Sequence, residues 1–227
     1  MRLLFSDVLV TDENHENHAK HVNIAVIGNT VEYVGEARPE GEFDRVISGN
    51  YLVMPGFYNA HCHSAMTLFR GLGGDLPLKH WLDEAILPAE DRLTPELVRL
   101  FSTEAIAEMI ACGTVAFSDM YFLCTDTARA ALDSGIKLNI ARSVVSFDED
   151  ADPAADYRVA EALELYRDIE SNPAYVNSGL SVYSPNIRTL RGCANISPTL
   201  RINMMRECRY TFPKRRASIS GALKNIP

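Results

Sequence analysis

The sequence predicts an α/β fold in which parallel strands alternate with crossover helices, of the doubly wound or barrel kind, reached through a small all-β unit. Two observations predict it. Residues 1–50 hold short β-rich runs set off by turn residues. From residue 51 onward, strand-like apolar runs alternate with segments whose apolar residues recur at helical spacing, and such alternation implies a parallel sheet with right-handed crossovers.

Residues 3–10, 21–27 and 31–34 read as strands, the last two joined across the Gly28-Asn29 turn signal. Asp12 to Lys20 carries His15 and His18 next to His21. With nothing apolar nearby to hold the rings, a solvated hairpin loop is preferred there over a metal site. Residues 52–60 form the first strand of the alternating part. Residues 95–111 are helical, with Thr94 as cap, Pro95 in the first turn and Gly113 as terminator. The alternation then repeats: strand 114–120, helix 126–134 ended by Gly135, strand 137–145, helix 155–169 and strand 180–184. Four βα units do not close a barrel, which needs eight strands and roughly 250 residues.

At 227 residues and 47% hydrophobic, the chain has the means to bury a core. Its charge is divided: residues 1–184 carry 13 Lys and Arg against 29 Asp and Glu, a net of −16, whereas residues 185–227 carry nine against Glu207 alone, a net of +8. A switch of that size ordinarily points to a nucleic-acid-binding tail. The five cysteines, Cys62, Cys112, Cys124, Cys193 and Cys208, are odd in number and form no Cys-x-x-Cys pair, which argues against a disulfide framework or a zinc knuckle and for a reduced cytoplasmic setting. Asp7 comes too early for the apolar core of a signal peptide, and no later run is long enough to cross a membrane, so a soluble, intracellular protein is expected.

The stretch Pro55 to His63 reads as a buried strand delivering two histidines to a metal. Alternation puts His61 and His63 on one face and Cys62 on the other, and two imidazoles make half a tetrahedral site. Composition alone yields a His-x-His in roughly one random chain in six, so context carries the assignment. The apolar Tyr51-Leu52-Val53-Met54 leads in, and a polar, glycine-rich segment follows, as where a strand opens into an active-site loop.

Met54-Pro55-Gly56-Phe57-Tyr58-Asn59-Ala60-His61-Cys62-His63, Arg70-Gly71, Asp75-Leu76-Pro77-Leu78, Trp81-Leu82, Pro88-Ala89-Glu90 and Gly113-Thr114-Val115-Ala116-Phe117-Ser118-Asp119-Met120 together resemble the amidohydrolase superfamily. Within it they are most similar to methylthioadenosine/S-adenosylhomocysteine deaminases and the related chlorohydrolases and cytosine-deaminase-like enzymes. The resemblance covers residues 1–184 and is not expected beyond Ser184. It implies a (β/α)8 TIM barrel, of which this chain holds a partial set of about four βα units, preceded by part of a small β-sandwich in residues 1–50. It also implies one divalent metal, usually zinc, held by the His-x-His pair, a third His and a late Asp, whose water attacks an aromatic ring carbon and displaces ammonia while a Glu shuttles the proton.

Carried over by position, His61 and His63 are metal ligands, Glu90 is a substrate-contacting carboxylate, and Arg142 is a substrate-contacting arginine near the end of the third strand. The implied substrate is a small molecule of the S-adenosylhomocysteine or methylthioadenosine kind. Each residue has a plainer rival: a core pair for the histidines and a solvated charge for Glu90. Arg142 sits among Leu138, Ile140 and Ala141, where an unpaired cation is costly, so it calls for a placed anion or a substrate contact. Asp119 ends the second strand and receives no metal role. His80 and Trp81 shape the loop over the pocket, with packing the safer reading.

The family pattern continues with His-Ala-Glu-Tyr-Thr and His-x-Ser-Glu-Thr, which carry the third ligand and the catalytic Glu. Here Pro185-Asn186-Ile187-Arg188-Thr189 follow Ser184, and no histidine occurs after His80, so no catalytic residue is assigned. Reading the third base of each codon with the first two of the next, Ser184 through Leu190 can encode Ala-Glu-Tyr-Thr-Asn-Pro, and Arg209 through Arg215 can encode Leu-His-Val-Ser-Glu-Thr. The tail over 185–227 is therefore expected to be out-of-frame, unstructured or non-native, and its charge says nothing about nucleic acid. A C-terminally truncated barrel with an open edge predicts marginal stability and a chain that is inactive or strongly impaired.

Three readings stay open beside this one. A non-enzymatic remnant would use its basic tail as an interaction module. A chlorohydrolase or a guanine- or cytosine-deaminase-like enzyme would act on another ring. A homo-oligomer would have a second chain complete the site. Nucleotide sequencing across codon 184 and past codon 227 should reveal the His-x-Ser-Glu-Thr motif in the shifted frame; its absence there would refute the out-of-frame reading.

Overall fold

The computed structural model describes residues 1–11, 20–146, 155–178, 181–182 and 187–189. Of the expected loop from Asp12 to Lys20 only Lys20 is described, in a strand, and of the basic tail only 187–189, which pairs as a strand with Val144–Ser146 and so is not unstructured there; the out-of-frame reading itself is not addressed by the fold. The chain forms two compact units that divide between Pro55 and Gly56, past the boundary at residue 51 expected from the sequence.

The first unit is a five-stranded sheet of β1 (Arg2–Val10), β2 (Lys20–Ile27), β3 (Thr30–Gly35), β4 (Arg45–Ser48) and β5 (Leu52–Val53). Its order is β3-β2-β1-β4, with β5 also on β1. β1 to β3 pair antiparallel, while β4 and β5 run parallel to successive stretches of β1. Val8, Val10, Val22, Ile24 and Val34 make its core. A bulge between Phe5 and Val8 places Asp7 at φ 54°, and the Asn23 side chain accepts from the Asp7 N–H at 3.2 Å to hold it.

The second unit carries the strand–helix alternation. In chain order its elements are β6 (Phe57–Cys62), α1 (Leu78–His80), α2 (Leu87–Glu90), α3 (Pro95–Ala111), β7 (Thr114–Tyr121), α4 (Cys124–Ser134), β8 (Lys137–Arg142), β9 (Val144–Ser146), α5 (Tyr157–Ser171), α6 (Pro173–Ser178), β10 (Ser181–Val182) and β11 (Ile187–Thr189). The main sheet is β10-β8-β7-β6, parallel at every pairing, and β9 pairs with β11. Local chemistry explains the helix ends. Thr94 Oγ1 accepts from the Leu97 N–H at 3.3 Å and Pro95 fits the first turn, while Gly113 and Gly135 leave α3 and α4 at φ 82° and 74°. The helices cover one face of the sheet, where Ile106, Phe117, Ala128, Leu138, Ile140 and Leu165 share a core.

β4 answers to no expected strand, the strand expected over 180–184 is described only at Ser181–Val182, and two others are divided differently from expectation. The run expected over 52–60 is broken: Leu52–Val53 belongs to the first unit and Phe57–Cys62 to the second. Pro55 has no N–H for a ladder, and Gly56 passes so close to β7 that a Cβ there would lie 2.3 Å from Val115 Cγ1. The run expected over 137–145 ends at Arg142, where the Ser143 N–H reaches the Tyr121 carbonyl at 2.9 Å and the chain leaves for β11. Nor is β6 buried as expected. Phe57 and Tyr58 are 54% and 67% exposed because β6 is an edge of the sheet.

The close approach at Gly56 sets a test. Gly56→Ala should cost about 1–3 kcal/mol in urea denaturation. Adding Val115→Ala should recover most of it, and a doubly substituted chain no more stable than the single one would disprove the clash.

Candidate functional site

The site grows from the C-terminal end of β6 against β7. Asn59 pairs with Phe117 and Cys62 with Asp119, so three steps along β6 cover two along β7 and a bulge falls at Ala60–His61. The Asn59 side chain accepts the His61 N–H at 3.2 Å and donates to Met109 Sδ at 3.7 Å. Asn59 thus faces the helices, as does Cys62, which packs on their core. Simple alternation could not turn residues 59 and 62 to the same side; the bulge does, and it leaves His61 and His63 flanking Cys62 with ring centroids 4.8 Å apart and planes at 78°.

His63 lies just past the strand, before the 3₁₀ turn Ser64–Phe69. Its Nδ1 is 2.6 Å from the Met120 carbonyl. A carbonyl only accepts, so Nδ1 carries a proton; in the neutral form that tautomer leaves Nε2 as the lone-pair nitrogen, the arrangement a metal-binding histidine needs. His61 is exposed.

Glu90, at the end of α2, is half-buried. Burial pushes its carboxyl pKa up, with the Tyr121 hydroxyl and the His63 ring working against that rise. The buried Tyr121 hydroxyl is near enough to Glu90 to be felt but makes no well-formed hydrogen bond. Arg142, at the end of β8, is 7% exposed. Its Nε donates to Glu161 of α5 at 2.8 Å, a terminal nitrogen donates to the Ser143 carbonyl, and its guanidinium carbon lies 5.1 Å from the centre of the Phe122 ring. Glu90 and Arg142 both line one open cleft of about 970 Å³ together with Phe122, Leu123, Tyr157 and Glu161; His61 and His63 are not in its walls. Glu90 lines the cleft and is within electrostatic reach of Tyr121 and His63.

Asp119 is the residue sequence reasoning left without a role. It is 3% exposed, its Oδ2 accepts from the Ser64 N–H at 3.1 Å and from the Ser64 hydroxyl, and its Oδ1 is buried with no partner. Burial and Asp119 together push the Cys62 thiol up to about 12, so it stays a neutral thiol at ordinary pH rather than a nucleophile. His80 pairs with Glu84 on an exposed helical turn, and Trp81 Nε1 donates to the Leu72 carbonyl at 2.9 Å.

Glu90 sets a pH test. A carboxyl that binds its proton more tightly when folded loses stability as pH rises from its unfolded through its folded pKa. The stability of Glu90→Gln relative to the parent should therefore increase over the window that opens at about pH 4, where an unfolded carboxyl titrates. A difference that stays constant across that window would contradict the raised value.

The amidohydrolase family pattern matches residues 52–216. A 5-methylthioadenosine/S-adenosylhomocysteine deaminase of Syntrophomonas wolfei is 39% identical over 159 residues, covering 69% of this chain and 37% of the relative. Another so named, from Desulfovibrio desulfuricans, is 32% identical over 209 residues, covering 87% and 46%. The chain thus spans less than half the length of these curated relatives. Among solved structures, an adenosine deaminase from Xanthomonas campestris with bound zinc aligns at TM-score 0.67 and 28% identity, over 82% of this chain and 42% of that one. The matched span runs past Ser184, further than the motifs do, which corrects the expectation that similarity stops there. With nearly three-quarters of its length inside the family pattern, the chain belongs to the amidohydrolase family.

Proposed function

We propose that this chain comes from a lineage of hydrolytic deaminases that remove the amino group from the purine of an adenosine thioether nucleoside. The observation that carries the reading is His63, held through Nδ1 by the Met120 carbonyl with the His61 ring beside it, at the C-terminal end of the first parallel strand. Enzymes of parallel barrels keep their chemistry at that end of the strands. Relatives named for methylthioadenosine and S-adenosylhomocysteine deamination support the substrate class.

Zinc is the metal this reading implies, and the donor set fits it only in part. His61 and His63 supply two imidazoles, and among the described residues no group of three or more His, Cys, Asp or Glu is placed to hold an ion. A tetrahedral catalytic site takes three protein ligands. In this reading Glu90 and Arg142 orient the nucleoside from the cleft, and Arg142 must share its guanidinium with Glu161. The 227-residue chain is inactive or strongly impaired, because neither a third histidine nor the family's catalytic Glu follows His80 in its motif.

The assay is ammonia release from S-adenosylhomocysteine and methylthioadenosine with zinc present. This chain should stay at background, whereas a chain translated in the shifted frame after Ser184 should deaminate at least one of the two. Turnover by the 227-residue chain would sink the impairment, and failure of the shifted-frame chain on both would sink the substrate class.

A further inference from the structure

Asp119 and Met120 are consecutive on β7, and His63 and Ser64 are consecutive at the end of β6. Each residue of one pair holds one of the other: the Met120 carbonyl takes His63 Nδ1, and the Asp119 carboxylate takes both the N–H and the hydroxyl of Ser64. The Asp119 side chain does not enter the cleft. It points with Phe117 and Tyr121 to the covered face of β7, towards α3 and α4. There the Ser64 hydroxyl lies 3.0 Å from Ser102 Oγ of α3, and Ser102 Oγ lies 3.2 Å from Thr127 Oγ1 of α4. Ser64 has one hydroxyl proton. When it goes to the carboxylate, Ser102 must donate to Ser64 and Thr127 to Ser102, so three hydroxyls are aligned on one buried acid.

We infer that Asp119 is a positioning residue: through Ser64 it fixes the turn at which β6 ends, and with it the seating of the His63 ring on the Met120 carbonyl. The alternation along β7 explains why the fixing is needed. The Tyr121 carbonyl faces β8, where the Ser143 N–H takes it, so the Met120 carbonyl faces β6. At that level β6 has already ended, and the imidazole stands where a strand N–H would have been. Without the Ser64 anchor, the chain after Cys62 is free to turn otherwise, and the ring leaves the carbonyl. The inference concerns the ring's tautomer and orientation in the metal-free chain, so it stands whether or not the deaminase reading does.

The test is the His63 tautomer, read by long-range proton–nitrogen NMR in metal-free protein labelled at histidine nitrogen, the signal being identified by its loss in His63→Gln. The parent should show Nδ1 protonated and Nε2 bare. Ser64→Ala and Asp119→Asn should shift His63 to a mixture of tautomers, while Ser64→Thr, which keeps the hydroxyl, and Ile136→Val, which trims the same unit's core, should leave it as in the parent. If Asp119→Asn fails to fold, Ser64→Ala with Ser64→Thr decides. An unchanged tautomer in folded Ser64→Ala, or a mixture in Ile136→Val as well, would overturn the assignment.

Discussion

Once β6 ends at Cys62, the Met120 carbonyl on its side of β7 still needs a donor, and the candidate site follows from how that need is met. Met120 is only half-buried, so the alternative partner for its carbonyl is water, and a side chain that takes the place of that water orders the end of the strand. The His63 ring meets the need, and in doing so has its tautomer chosen by the backbone of another strand. Ser64, next in the chain, is tied to Asp119, next to Met120. Two dipeptides 55 residues apart are thereby locked in one register, and the helix layer joins through Ser102 and Thr127. The orientation of an imidazole on one face of the sheet depends on hydroxyls packed on the other.

Two buried charges in the second unit are handled differently, and the contrast marks which one serves the site. Arg142 has an acid, Glu161, at 2.8 Å and an aromatic face beneath it. The cost of burying its cation is offset locally, and the helix α5 is drawn to the end of β8. Among the described residues Asp119 has no ion-pair partner: Ser64 satisfies one oxygen and the other makes no hydrogen bond, so burial pushes its pKa up, with the hydrogen bonds from Ser64, the nearby His63 ring and the Met120 N–H working against the rise. Such an acid is expensive to keep on stability grounds alone. Its place, one residue from the carbonyl that seats His63, gives a reason for it other than stability.

What could be read in the sequence is what short-range chemistry decides. Thr94-Pro95 at the start of α3, and Gly113 and Gly135 after α3 and α4, act within a turn or two, and the structure uses each as its residue type demands. The missed features are set by partners far along the chain. Val115 decides that Gly56 must be glycine and so where a strand breaks, and pairing with β11 takes Val144–Ser146 off the main sheet, which ends β8. The bulge at Ala60–His61 depends on pairing with β7. The histidine pair showed because the motif is local. The Ser64–Asp119 clamp left no spacing signal, since its two residues lie on different strands and are of common types. Arg142 falls between: its need for an anion followed from the apolar run around it, whereas the identity of Glu161 required the packing of α5 on β8.

The exposure of the site has the same cause as the exposure of its sheet. Parallel sheets are stable when both faces are covered. Along β7, Phe117, Asp119 and Tyr121 are buried under helices, whereas Ala116, Ser118 and Met120, which point the other way, are only half-buried. Cys62 faces the covered side, so His61 and His63, its neighbours in the chain, stand on the less covered one. A charge held there is more screened by water than one under the helices, since the electrostatic strength of a site rises as water is excluded. Further cover on the second face of this sheet would therefore do two things at once: it would bury Tyr58, which alternates with the helix-facing Asn59, and lower the dielectric around the imidazoles. Stability and chemistry at this site are coupled through one surface, the less covered face of β6 and β7.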